Sequence, residues 1–167
     1  WIPINRAMAT DAAGGDAALA ATLLRAGGHD PDTDIVASGA VLSAAGAQGI
    51  TACFAEALGD RAPPDLLHII TRNFRDGGAK YATLIDGAVD ELERLQELGY
   101  RLGLATNDTI AGIRASLGRF DDLIDRFEFL VGCDGGHGAK PEPGMGLAFA
   151  AATGLDPSCC AIIGDSV

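Results

Sequence analysis

Long apolar runs are missing from this sequence. No stretch reaches the ~18 uninterrupted apolar residues of a membrane span, and no basic start precedes an apolar segment as in a signal peptide. A spanning helix is therefore not expected, and a cytoplasmic location is. Basic residues are also scarce: 12 Lys and Arg stand against 23 Asp and Glu, a net charge of −11. That balance disfavours a nucleic-acid backbone or an anionic membrane as the main partner. An anionic substrate would need local positive charge or a bound cation to hold it against the global field. The cysteines at 53, 133, 159 and 160 form no CxxC pair, and Cys159 and Cys160 fall in an apolar run that reads as a buried strand. Core thiols are expected rather than disulfides or a metal site. Gly144-Met145-Gly146 lacks the third glycine and the upstream strand turn of a dinucleotide fingerprint, and Gly138-Ala139-Lys140 lacks the Gly-Lys-Ser/Thr of a P-loop. Neither nucleotide-binding device is present.

What remains is the composition of an ordinary globular protein, with 48% hydrophobic and 21% charged residues. A chain of 167 residues has room for a sizeable core. Its first half reads as helices joined by turns. Pro3 to Ala13 and Asp16 to Ala26 are Ala-rich helix formers, punctuated by Gly14, Gly15, Gly27 and Gly28. The Asp-, Gly-, Ser- and Ala-rich segment from His29 to Gly49 reads as a long loop with little regular structure. Ile50, Cys53, Phe54, Ala57 and Leu58 then recur at helical spacing. A further amphipathic helix carries Leu66, Leu67, Ile70 and Phe74.

From about residue 84 the pattern alternates helix with strand. Asp86 can cap a helix whose Val89, Leu92, Leu95 and Leu98 share a face, ended by Gly99. Strands are expected at Arg101 to Ala105, Phe127 to Gly132 and Cys159 to Ile163, separated by helices. Such alternation implies a parallel sheet, which places ligands at the carboxyl ends of its strands.

Three polar clusters fall at those ends: Thr106 with Asn107, Lys140 after the second strand, and Asp165 with Ser166. A hydroxyl, an amide, an ammonium and a carboxylate on one edge suit a phosphoryl group and a divalent cation. Thr106 can donate to a phosphoryl oxygen, Lys140 can neutralise developing charge, and Asp165 can offer a hard oxygen to Mg²⁺. Each has a plainer reading: a Thr-Asn helix cap, a solvated lysine before proline, a turn aspartate. His137, in the glycine-rich loop near Lys140, reads as solvated. Arg72 and Arg75 read either as a solvated helix face or as groups reaching over a substrate anion.

Asp86-Gly87, Leu92, Leu95 and the run from Gly99 to Asn107 resemble the approach to the second motif of haloacid dehalogenase-like phosphatases, especially the phosphoglycolate phosphatase-like branch. Lys140-Pro141-Glu142-Pro143 resembles the third motif, and Ile162-Ile163-Gly164-Asp165-Ser166 the start of the acidic fourth. The resemblance implies an α/β fold: a Rossmann-like parallel-sheet core over 84–167, incomplete for want of its first strand, and an inserted α-helical cap domain over 1–83. It implies a Mg²⁺-dependent phosphatase that hydrolyses a small phosphorylated metabolite through an aspartyl-phosphate. Thr106 and Asn107 would contact the phosphoryl group, Lys140 would neutralise charge, and Asp165 would hold Mg²⁺.

The nucleophile of such enzymes sits in an Asp-x-Asp motif on the first strand, and this sequence has no such strand. The 167 residues alone are accordingly expected to be inactive and poorly folded, with either a gap or an unusual direct pairing between the strands ending at Thr106 and Asp165. Should they prove active, Asp108 or Asp134 would have to serve as nucleophile. A haloacid dehalogenase, a phosphomutase and a noncatalytic binding module are the competing readings.

Overall fold

The computed structural model describes residues 1–164, which divide into two compact units, Trp1–Tyr81 and residues 82–164. The first unit is all helix: α1 (Ile2–Ala12), α2 (Ala17–Ala26), α3 (Val41–Ala44), α4 (Ala47–Leu58) and α5 (Leu66–Tyr81). Local chemistry sets most of these boundaries. Pro3 occupies the first turn of α1, where a missing N–H costs nothing. The Asp16 carboxylate accepts from the N–H groups of Ala18 and Leu19 at 2.9 and 3.1 Å, starting α2.

Helical spacing then decides which side chains meet. Ile4, Met8, Ala9 and Ala12 of α1 join Leu23 and Leu24 of α2, Ile50, Phe54 and Leu58 of α4, and Leu66, Ile70 and Phe74 of α5 in one core. The approach of α1 to α5 depends on Gly77, where a Cβ would lie 2.5 Å from Ile4 Cγ1. Trp1 meets Phe74 edge to face at 5.6 Å between ring centroids. Among these apolar groups sits Asn5, fully buried, with neither amide atom hydrogen-bonded among the described residues.

The segment from His29 to Gly49 is more ordered than its composition suggests. His29 bridges Val36 across a tight turn, while the Asp30 carboxylate accepts from the Asp32 N–H at 3.0 Å and the Thr33 hydroxyl at 2.7 Å. Arg6 clasps the turn from α1, reaching Asp34 at 2.6 Å and the Pro31 carbonyl at 2.6 Å. The helix α3 follows, and α4 begins at Ala47. Asp- and Ser-rich stretches read as loops because these side chains compete with the backbone for hydrogen bonds, and here that competition builds a turn.

The second unit mixes helices with a small parallel sheet. Its elements are α6 (Ala88–Glu97), β1 (Gly103–Ala105), α7 (Ile110–Leu117), β2 (Phe129–Val131) and α8 (Gly144–Thr153). Strands β1 and β2 pair in parallel with Gly103 opposite Phe129, Leu104 opposite Leu130 and Ala105 opposite Val131. The ladder runs on at both ends, through the Glu128 N–H to Leu102 O at 3.0 Å and the Thr106 N–H to Val131 O at 3.1 Å. Helix α8 covers the sheet, with Met145 and Ala150 buried and Phe149 6.0 Å from Phe129, edge to face.

Three expectations need correction here. The residue capping α6 is Gly87 in a left-handed conformation, without a side-chain hydrogen bond, so Asp86 lies one position too early to cap. Cys159 to Ile163 is not a strand: Pro157–Cys159 form a 3₁₀ turn, and residues 160–164 pair with no strand among the described residues. Ile162 and Ile163 are 64% and 92% exposed. Apolar β-branched residues favour a strand only when a neighbour takes their backbone groups and covers their side chains, and among the described residues none does. Cys159 is accordingly exposed, and Cys53, Cys133 and Cys160 are half-buried rather than core thiols; all four are free. Among the described residues no helix is long and apolar enough to cross a membrane.

Candidate active site

The parallel pairing brings the carboxyl ends of β1 and β2 side by side, so the two loops that leave them run together. The first loop carries Thr106, Asn107 and Asp108 into Thr109, whose hydroxyl accepts from the Gly112 N–H at 3.0 Å and caps α7. The second runs from Gly132 to Pro143 and carries Cys133, Asp134, His137 and Lys140.

Asn107 joins the loops. Its Oδ1 accepts from the Lys140 N–H at 2.7 Å, and its Nδ2 donates to the Lys140 carbonyl at 3.0 Å. Two hydrogen bonds from one planar amide fix both the distance and the orientation of the lysine backbone, at the cis peptide bond preceding Pro141. Thr106 Oγ1 accepts from the Asp108 N–H at 3.2 Å, which leaves its own proton to donate. Three of the four site residues expected from sequence, Thr106, Asn107 and Lys140, therefore share one edge and are half-buried. The fourth, Asp165, lies outside the described residues. His137 is exposed. Arg72 pairs with Asp11 at 2.8 Å and Arg75 with Asp76 at 2.9 Å, as a solvated helix face would.

Two carboxylates in these loops were not assigned a structural part by sequence reasoning. Asp108 is half-buried, accepts from the Thr109 N–H at 2.6 Å, and lies against Gly112, where a Cβ would come 2.2 Å from its Oδ2. Burial, and secondarily the charge of Asp134, push its carboxyl above the ordinary range. Asp134 Oδ1 accepts from the Ile110 N–H at 3.0 Å. The Cys133 thiol is raised by burial first, then by the charges of Asp134 and Asp108, so it is a poor nucleophile here. Among the described residues no three His, Cys, Asp or Glu side chains gather as a metal would require. Asp108 and Asp134 each accept from a backbone N–H group at the start of α7.

The model of the haloacid dehalogenase-like hydrolases matches residues 16–167. The chain belongs to that family. The described residues mix helix and strand, and their small parallel sheet is consistent with the α/β fold of the family. The chain is also 34% identical over 80 residues to the probable phosphatase IndB of Dickeya dadantii. That alignment covers 48% of this chain and 34% of the relative, so the chain spans about a third of the relative's length.

Proposed function

We propose that this hydrolase sequence belongs to a phosphomonoesterase for small metabolite esters, of the phosphoglycolate phosphatase-like branch, and supplies its phosphate-contacting edge. The observation that carries the reading is the reciprocal Asn107–Lys140 pair, which stands a lysine loop beside Thr106. The relative's printed description, a probable phosphatase, supports it.

In the reaction, a carboxylate oxygen bonds to phosphorus as the ester P–O bond breaks, and the departing alkoxide takes a proton from an acid. Water then cleaves the acyl-phosphate and releases inorganic phosphate. Thr106 would donate to a phosphoryl oxygen, Asn107 would contact the phosphoryl group beside it, and the Lys140 ammonium would balance charge that grows in the transition state. Asp165 would hold Mg²⁺, whose contribution is to shield phosphoryl charge.

Among the described residues neither strand ends in an Asp-x-Asp pair: β1 runs into Thr106-Asn107 and β2 into Gly132-Cys133. The 167 residues alone are therefore expected to turn over nothing. The helical unit Trp1–Tyr81 is assigned the part of a cap that selects the substrate.

Hydrolysis of an aryl phosphate by the product of the whole gene tests the reading. Lys140→Ala should lower kcat by roughly a hundredfold, the equivalent of ~3 kcal/mol for loss of one charge-stabilising donor. Undiminished turnover would leave Lys140 a solvated loop residue and remove the basis of the proposal.

A further inference from the structure

Thr109 already caps α7 from within its own loop, yet a second acceptor reaches the same helix start from elsewhere. The Ile110 N–H donates to Asp134 Oδ1 at 3.0 Å, across 24 residues of chain. A local cap only stops a helix from fraying; one delivered by another loop also fixes where that loop stands. The contact has company. The Cys133 N–H donates to the Asp108 carbonyl at 2.9 Å, and farther along the same loop the Lys140 N–H donates to Asn107.

Gly132 makes the approach possible. A Cβ there would lie 2.5 Å from Asp108 O and 2.7 Å from both Asp134 Oδ1 and Ile110 N. Two of those atoms are backbone, so the space cannot be opened by turning a side chain. A carboxylate is also the right group for this place, because the N-terminal turn of a helix carries partial positive charge.

We propose that Asp134 is a positioning residue for Lys140: by accepting from Ile110 across the bare face of Gly132, it pins the lysine-bearing loop to the threonine-bearing one. The proposal deepens the phosphatase reading and rests on it for the purpose of the lysine. Displacements near 1 Å are enough to matter where a charged group must meet a transition state.

The test uses amide hydrogen exchange read by mass spectrometry on the product of the whole gene, together with titration by inorganic phosphate. Asp134→Ala should speed exchange over residues 138–142 by roughly fivefold to tenfold, the equivalent of ~1 to 1.4 kcal/mol for a lost cap, and weaken phosphate binding several-fold. Asp134→Asn keeps an oxygen that accepts from Ile110 and should restore both to within about twofold. Gly132→Ala retains the carboxylate but should reproduce the effect of Asp134→Ala. Exchange in α1, α4 and α5 should stay constant throughout, showing that the helical unit is intact. Unchanged exchange over 138–142 in Asp134→Ala, or failure of Asn to rescue it, would overturn the proposal. If the unsubstituted product of the whole gene binds no phosphate, the phosphatase reading falls instead, and the exchange comparison still decides whether Asp134 holds the loop.

Discussion

Replacing Asn5 by leucine should make the helical unit more stable, although it alters a fully buried residue. Asn5 sits on the inward stripe of α1 between Ile4 and Met8, is 0% exposed, and has neither Oδ1 nor Nδ2 hydrogen-bonded among the described residues. An unmet buried polar group costs about 1–3 kcal/mol, and leucine would remove that cost. It would also gain about 0.5 kcal/mol of helix propensity over asparagine. Against this stands the extra volume of leucine in a filled core, which costs ~1–3 kcal/mol where neighbours cannot move. Taking the middle of each range, the net stabilisation is about 0.5 kcal/mol. For a unit of this size that corresponds to roughly 2–4 °C in Tm. Trp1 provides the assay, because it is the sole tryptophan and lies edge-on to Phe74 of the same core. Thermal unfolding followed by its fluorescence reports this unit. Asn5→Ala, which also removes the amide but leaves a gap, should fall close to the parent. A loss of more than about 1 kcal/mol in Asn5→Leu would refute the reasoning, because it would mean that the amide is satisfied and worth keeping.

Two further outcomes follow from the second unit and from α2. Burial, with the charge of Asp134 second, raises the Asp108 carboxyl above its ordinary value of 3.8. The unfolded chain then ionises first as pH rises, so the parent loses stability from about that value up through the raised one. Asp108→Asn should remove this loss. Melting curves should show the variant the more stable at neutral pH and equal to the parent below the ordinary value, and a constant difference at all pH values would contradict the assignment. Asp16→Ala removes the acceptor of two N–H groups at the start of α2 and should cost ~1 kcal/mol. Urea denaturation read by Trp1 fluorescence checks it, and an unchanged midpoint would mean that α2 starts without its cap.

The residues themselves carried most of the helices. Glycine punctuation and the spacing of Ile50, Phe54 and Leu58, or of Leu66, Ile70 and Phe74, are local signals, and the helices form where those signals lie. The first two strands and their parallel sense were also legible, because alternation of helix with strand leaves little other choice. Thr106, Asn107 and Lys140 could be placed on one edge for the same reason.

Tertiary structure decided the rest. Ile162 and Ile163 have the composition of a strand, but a strand exists only when a neighbour accepts its backbone groups, and sequence does not say whether that neighbour is present. That the Asn107 amide also grips Lys140 across 33 residues depends on how two loops leave a twisted sheet. Sequence offered Asp134 only as an alternative nucleophile, and only the close approach at Gly132 gives it Ile110 as a partner. Helix periodicity is written within a few residues of chain, whereas a contact between loops is fixed by the backbone geometry of both, so the first was readable and the second was not.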